Sequence, residues 1–193
     1  MCEGTILRKN CDLMLEIIQN NKVPGNDGIP GECYKRFWTL HSEPFVNCAN
    51  ERLEDMEISN SQKQAVIPLI EEIGKDCTLL ENWIPISLVI VDAKLMSKVV
   101  ANRINKVLPC IINCNQTGYV QDRYIGEIVR SIFNIMEFTV NENVPRMLIF
   151  IDFQKAFDSL ECDFNFGCLE AFNFGSDFSR WVKTFYKNPK LCF

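Results

Sequence analysis

An apolar run that ends in a carboxylate and is followed by a helical pattern constrains the fold of this 193-residue chain more than any other feature. Residues 146–153 read RMLIFIDF, which has the length and composition of a strand, and Asp152 stands at its carboxyl end. Residues 156–175 then show a helical pattern that Gly175 is predicted to close. Because open α/β layers present ligands at the carboxyl ends of strands, Asp152 is a candidate functional residue. The alternative role, a helix N-cap, is the commoner one for an isolated Asp.

Amphipathic helices are predicted on both sides of this strand. The helical patterns cover residues 5–20, 31–50, 92–108, 124–141 and 176–187. Asp92 is placed as the N-cap of the third, and Tyr34, Phe37 and Trp38 are placed on the buried side of the second. The turn residues of PGNDGIP, residues 24–30, predict a loop between the first two helices.

Two further strand regions are predicted in the first half of the chain. Residues 64–70 form a short strand pattern, and residues 78–91 read as a strand and a turn. Helices interleaved with two or three strands indicate an α+β or α/β domain.

The charge is distributed unevenly along the chain. The formal net charge is −5, which by itself argues mildly against nucleic-acid binding. Residues 51–81 alone carry a net charge of −5, whereas residues 94–130 and 178–193 each carry a net charge of +4. In residues 178–193, aromatic residues stand between the lysines and the arginine. Basic side chains beside aromatic rings suit a nucleic-acid backbone and its bases. A solvated helix face is the alternative, and it is favoured for either segment taken alone.

Composition and residue spacing exclude several classes of protein. The chain is 47% hydrophobic and 23% charged, which is typical of an ordinary folded protein. No apolar run reaches the ~18 residues that cross a bilayer, and the first residues lack the apolar core of a secretion signal. We therefore expect a soluble, intracellular protein, with cytoplasm and nucleus not distinguished. The ten scattered cysteines and the single histidine, His41, argue against a zinc site and a histidine-dependent hydrolase, and free thiols are expected.

Four segments in a fixed order resemble the reverse transcriptase domain of non-LTR retrotransposons, the long interspersed element type. They are residues 21–38, 74–104, 115–132 and 145–161. The resemblance extends from about residue 13 to residue 193 and implies a right-hand polymerase fold of the α+β class. Residues 1–145 would then be a fingers-like region, and residues 146–193 the start of the palm.

The same resemblance implies an activity and its partners. Members of the family copy RNA into DNA, so the implied partners are an RNA template, a DNA primer and deoxynucleotide triphosphates. The implied cofactor is Mg²⁺, held as a pair of ions by carboxylates of the palm. No membrane and no small-molecule cofactor are implied, and the oligomeric state is left open.

Individual residues acquire implied roles from the resemblance. Asp152 would be the first catalytic aspartate and a metal ligand, with the backbone carbonyl of Phe153 as a neighbouring ligand, since Mg²⁺ prefers hard oxygen donors. Phe157 would lie against the sugar of the incoming nucleotide and exclude a 2′-hydroxyl, and a buried helix aromatic is its alternative role. Nucleic-acid contacts would come from Lys98, Arg103, Gln116, Arg123, Arg130, Lys183 and Lys187.

The chain also departs from the family pattern. Ile84 stands where the family has an arginine that is expected to hold the triphosphate, and Ile offers neither charge nor donors. Glu71 and Glu72 replace a lysine-containing turn, and Asp122 stands where glycine is usual.

The second metal-binding element of the family, an aromatic residue followed by x-Asp-Asp, is expected to come after Phe193. One carboxylate cannot hold two Mg²⁺ ions ~3.5 to 4 Å apart against their repulsion. We therefore expect the chain alone to be inactive as a polymerase. The alternative to an enzyme domain is a catalytically inactive remnant that acts at most as an RNA-binding module.

Overall fold

The computed structural model describes residues 2–153, 156, 159–187 and 190–192. In chain order, the described elements are α1 (Arg8–Ile17), α2 (Gly31–Asp55), α3 (Asn60–Lys63), β1 (Gln64–Val66), β2 (Leu69–Glu71), a 3-10 turn (Leu80–Asn82), β3 (Trp83–Pro85), β4 (Leu88–Val89), α4 (Val91–Asn105), α5 (Leu108–Ile111), α6 (Gly126–Asn141), α7 (Cys162–Ala171), α8 (Ser176–Tyr186) and β5 (Lys190–Cys192). This helix-rich arrangement with few strands agrees with the predicted α+β class.

The chain divides into two compact units. The first unit comprises Cys2–Asn102 together with residues 173–192, and the second unit comprises Arg103–Phe172. Within the part of the chain that the structure describes, none of the helices is both long enough and apolar enough to span a membrane.

Helix α2, with 25 residues, is the longest element of the first unit, and α1 packs against it. The indole Nε1 of Trp38 on α2 donates a hydrogen bond to the Asp12 carboxylate on α1, at 2.6 Å. Asn50, further along α2, forms two hydrogen bonds with the backbone of Ile6, at 2.8 and 3.0 Å. These bonds fix the N-terminal segment along the helix, and Ile6 becomes fully buried.

Helix α8 completes the core of the first unit by packing against α2. Its Trp181 and Phe178 are almost fully buried. The guanidinium of Arg180 donates hydrogen bonds to the carbonyls of Leu53 and Glu54, at 3.1 and 3.3 Å. These carbonyls belong to the last turn of α2, where regular intrahelical partners run out, although the Leu53 carbonyl also accepts the N–H of Met56 at 3.3 Å. Arg180 therefore caps one helix from the surface of another.

The strands form two small sheets in the first unit. In the larger sheet β1 lies in the centre, antiparallel to β4 and parallel to β5. The smaller sheet is the antiparallel β2–β3 pair, in which Ile70 lies opposite Ile84. The single strand predicted for residues 64–70 is therefore two strands in different sheets, separated at Ile67 and Pro68, because proline cannot donate to a ladder.

Buried apolar side chains are concentrated in the first unit. Among the residues that the structure describes, Val120 is the only buried apolar side chain of the second unit. Helix α6 has an amphipathic pattern, yet its apolar residues Val129, Phe133, Met136 and Val140 are exposed, Phe133 by 63%. The pattern predicted this helix correctly, but the described residues of the second unit leave its apolar stripe exposed.

The strand predicted for residues 146–153 is not formed. Residues 144–153 have no regular secondary structure, and the apolar side chains from Met147 to Ile151 are exposed. An isolated strand is not stable, because its N–H and C=O groups need a neighbouring strand. Among the described residues, no strand pairs with this segment, so the strand prediction was wrong although the composition is that of a strand.

Several smaller predictions also need correction. Helix α4 begins at Val91, so Asp92 lies in the first turn and is not the N-cap. Helix α7 begins at Cys162, and Gly175 is the N-cap of α8 rather than the end of a helix. Phe37 is exposed, although it was predicted to be buried. The predicted loop and the helices at residues 31–50, 124–141 and 176–187 are confirmed, the first of them extending to Asp55.

The N-terminus of α8 is capped from a distant part of the chain. The Glu3 carboxylate accepts the backbone N–H groups of Asp177 and Phe178, at 3.0 and 3.2 Å, and the Asp177 carboxylate accepts the N–H of Gly4. Replacing Glu3 by alanine is expected to lower the free energy of unfolding by about 1 kcal/mol, the usual effect of losing such a cap. Urea denaturation measures this loss. The exposed Glu43→Ala change should alter stability by less than about 0.5 kcal/mol, and an equal loss in both variants would contradict the capping role.

Candidate functional site

Asp152 and Phe153, the predicted catalytic and metal-binding pair, lie in the second unit. Both are exposed, and Phe153 is 75% accessible. They belong to the segment that has the composition of a strand but no regular secondary structure. Phe157, predicted to lie against the nucleotide sugar, is outside the described residues.

The Mg²⁺ pair implied by the resemblance can be compared with the donors present. Among the described residues there is no group of three His, Cys, Asp or Glu side chains that could hold a metal ion. Asp152 supplies a single exposed carboxylate. A pair of divalent ions needs several oxygen ligands to offset the mutual repulsion of the ions. The described residues therefore do not by themselves fit the metal pair.

Arg123 closes the loop between α5 and α6. Its guanidinium donates four hydrogen bonds to backbone carbonyls, through Nη1 to Asn113 at 2.6 Å and Gln116 at 2.7 Å, and through Nη2 to Pro109 and Ile112, both at 3.0 Å. A guanidinium has five N–H groups, so all four terminal ones are used inside the loop. Arg123 therefore holds this loop, and its contact with phosphate stays a prediction.

Gln116 lies in the loop that Arg123 closes. Its side chain is exposed, and its Nε2 contacts the Gly118 carbonyl at 3.3 Å. The two predicted contact residues Gln116 and Arg123 are thus brought together, with Arg123 fixing the backbone from which Gln116 projects.

Lys98 lies in a groove of the first unit with a volume of about 900 Å³. Lys94, one helical turn earlier on α4, and Lys22, in the loop before α2, line the same groove. The floor is apolar and includes Ile18 and Val91. Of the three lysines in the groove, sequence reasoning identified only Lys98 as a nucleic-acid contact. The four-residue spacing of Lys94 and Lys98 was visible in the sequence, but the position of Lys22 depends on tertiary packing.

The other predicted nucleic-acid contacts are in varied environments. Arg103 is only 8% exposed, which separates its guanidinium from solvent. Arg130 is exposed on α6, and Lys183 is half-buried on α8. Lys187 is exposed just after α8, with its Nζ 4.0 Å from a carboxylate oxygen of Glu57. An exposed side chain can reach a phosphate more readily than a buried one, so Arg130 and Lys187 are better placed for such a role than Arg103, although Lys187 would give up its contact with Glu57.

A second concave site lies between α2 and α4 in the first unit. Its volume is about 370 Å³, and its polar lining includes Tyr34, His41 and Asp92. The Tyr34 hydroxyl hydrogen bonds to the Asp92 carboxyl. Burial raises the pKa of Asp92, and it raises the pKa of Tyr34 as well. No motif in the sequence indicates this site, because its residues come from separate segments.

Comparison with known proteins agrees with the motif order along the chain. The family described as "Reverse transcriptase (RNA-dependent DNA polymerase)" matches residues 73–192, more than half of the chain. The chain therefore belongs to the reverse transcriptase family.

Similarity to one transposon protein makes the family assignment more specific. Over 176 residues the chain is 31% identical to the "Transposon TX1 uncharacterized 149 kDa protein" of Xenopus laevis. The aligned part covers 91% of this chain and 13% of the transposon protein, so the chain spans a small part of the length of that relative. The chain is accordingly a reverse transcriptase domain sequence of the non-LTR retrotransposon type, as the resemblance implied.

Proposed function

We propose that this chain contributes the fingers region and the first palm segment of a polymerase that copies RNA into DNA. The observation that carries the proposal is the family match over residues 73–192, which includes Asp152 within the motif DFQKAFD. Residues 1–145 would form the fingers-like part, and residues 146–193 the start of the palm. The substrates would be an RNA template, a DNA primer and deoxynucleotide triphosphates.

Asp152 is proposed as the catalytic carboxylate that this chain supplies. Its exposure leaves both oxygens accessible to a cation, and the family generally uses a divalent metal. We assign the Phe153 carbonyl as its neighbouring ligand and Phe157 as the side chain that lies against the sugar. Because the described residues do not fit a metal pair, the remaining carboxylates would have to come from other parts of the polymerase.

In each unit taken by itself, contacts with the template are proposed to come from basic residues that the structure leaves accessible. Lys98 projects into the groove that Lys22 and Lys94 also line, and Arg130 and Lys187 are exposed. Gln116 would contact the template from the loop that Arg123 holds. Such phosphate contacts weaken as salt rises, because bound counterions are released.

The experiment that tests the proposed function uses a chimera. The 176 aligned residues of this chain replace their counterparts in the Xenopus transposon protein, and RNA-templated incorporation of deoxynucleotides is measured with Mg²⁺. Changing Asp152→Asn is expected to lower incorporation about a hundredfold, because it removes a charged oxygen ligand and the transition-state stabilisation that depends on it.

Asp163→Asn, at the start of α7, is the matched control and should leave incorporation unchanged. The chain alone should give no incorporation, since among the described residues Asp152 is the one carboxylate that we propose for the metal pair. Full incorporation by the Asp152→Asn chimera would contradict the catalytic role, and incorporation by the isolated chain would contradict the requirement for further carboxylates.

A further inference from the structure

The cavity between α2 and α4 has the size and lining of a small-molecule site. Its volume of about 370 Å³ falls within the range of roughly 300 to 1,000 Å³ that is typical of ligand pockets. Ile29, Phe45 and Met96 supply apolar walls, and Asp92 and His41 are among the few polar groups. A mostly apolar pocket with a few convergent polar groups is the usual form of such a site.

In this cavity the His41 imidazole is the basic group that interacts with Asp92, whose carboxylate is half-buried. That carboxylate receives a hydrogen bond from the neutral hydroxyl of Tyr34. Among the residues that the structure describes, no lysine or arginine lines the cavity. Withdrawing an ionised carboxylate from water is unfavourable unless an opposite charge or several donors accompany it. The cavity therefore contains a negative charge that a bound cation would stabilise.

His41 adds a second acceptor to the same cavity. Its Nδ1 lies 2.9 Å from the carbonyl oxygen of Phe37, and a carbonyl can only accept, so Nδ1 carries the proton. In the neutral ring Nε2 is then an acceptor. Asp92 and His41 both favour a ligand that donates hydrogen bonds.

We propose that this cavity binds a small, flat organic cation in which an amidinium or guanidinium group is attached to a compact apolar body. A planar fork of N–H groups matches a carboxylate with two parallel hydrogen bonds. The apolar body would replace water against Phe45 and Met96. An anion would be repelled by Asp92, and a neutral ligand would leave its charge uncompensated. The proposal is separate from the proposed polymerase function, because it rests on none of the residues assigned to that function above.

The test uses benzamidine as the probe and the full 193-residue chain. Binding is followed near neutral pH by chemical-shift changes in ¹H–¹⁵N spectra, with benzamide as a neutral ligand of the same shape. We expect saturable shifts for amides of α2 and α4 around the cavity and an affinity for benzamide that is at least about tenfold lower, because charge-assisted hydrogen bonds are the stronger ones. Equal binding of the two probes, or shifts located elsewhere, would overturn the proposal.

Two variants, with one control, distinguish the role of the Asp92 charge from the role of the cavity volume. Asp92→Asn preserves the shape of the side chain and should lower benzamidine affinity about tenfold without changing benzamide binding. Glu43→Gln, an exposed carboxylate change on the same helix as Tyr34, is the matched control. Cys48→Phe places a ring in the cavity and should abolish the binding of both probes. Unchanged benzamidine affinity in Asp92→Asn would overturn the assignment, whether or not Cys48→Phe folds.

The pH dependence of benzamidine affinity gives an independent test of the proposal. The groups that face Asp92 are Tyr34, Asp27 and His41. Burial raises the pKa of Asp92, so acidification neutralises it sooner than an exposed carboxylate and should weaken benzamidine binding. His41→Gln removes the imidazole that interacts with Asp92, and the loss on acidification should persist in that variant. The same loss in Asp92→Asn would overturn the proposal.

Discussion

Replacing Trp181 by alanine should lower the free energy of unfolding of the first unit by about 3 to 5 kcal/mol, the usual result of removing a fully buried aromatic side chain. Trp181 has no exposed surface, and its ring stacks on Phe185 at a centroid distance of 6.1 Å. It lies on α8, the helix that packs against α2, so the cavity would open in the centre of the core. Urea denaturation followed by far-ultraviolet circular dichroism measures the change without depending on indole fluorescence.

The phenylalanine variant makes this prediction more specific. The Nε1 of Trp181 is buried and has no hydrogen-bond partner among the described residues. A buried donor without a partner is unfavourable, so Trp181→Phe loses packing but also removes that cost, and the net loss should be about 1 to 2 kcal/mol. Trp83→Ala, in the small β2–β3 sheet, is a suitable comparison and should cost less than Trp181→Ala. If Trp181→Phe lowered the free energy of unfolding as much as Trp181→Ala, the indole N–H would have to make a stabilising contact.

Replacing Arg123 by methionine should open the loop between α5 and α6. The change removes four hydrogen bonds to carbonyls at 2.6 to 3.0 Å while keeping much of the apolar stem. The combined loss should be about 3 kcal/mol locally, since each net hydrogen bond contributes about 0.5 to 1.5 kcal/mol. Hydrogen exchange of the amides of Ile112 and Gln116, which are both bonded within this segment, should accelerate about a hundredfold.

Two further variants distinguish the geometry of Arg123 from its charge. Arg123→Lys keeps the charge but cannot contact four carbonyls at once, so faster exchange is expected there as well. Arg130→Met, on the exposed face of α6, removes a charge of the same kind and should leave exchange in the loop unchanged. If Arg123→Lys exchanged like the original chain, a single cation would be sufficient and the fork geometry would be irrelevant.

Local patterns predicted the helices well, because a helix satisfies its backbone within one segment. Helices α2, α6 and α8 were all identified from spacing, although α2 extends five residues beyond Asn50. Strand formation depends on a partner elsewhere in the chain. The break at Pro68, the pairing of β5 with β1 and the absence of pairing at residues 146–153 are therefore properties of tertiary structure.

The candidate site residues likewise divide into those that a local sequence pattern identifies and those that depend on tertiary structure. Asp152 was recognisable from its motif, since that motif is contained in one continuous segment. Arg123 was recognised as a cation, but its role depends on four carbonyls that only the folded loop brings together. The cavity lined by Tyr34, His41 and Asp92 could not be predicted from the sequence, because each of these residues alone has an ordinary structural explanation.

The unequal distribution of buried side chains determines what a calorimeter would detect. Cooperative melting requires a shared core, and apart from Val120 the described buried apolar residues lie in the first unit. The heat absorbed in a sharp transition would then belong to roughly 120 residues of the first unit. Dividing that enthalpy by the full chain length would give a value per residue below the usual one. The difference between the two values would measure the part of the chain that melts gradually.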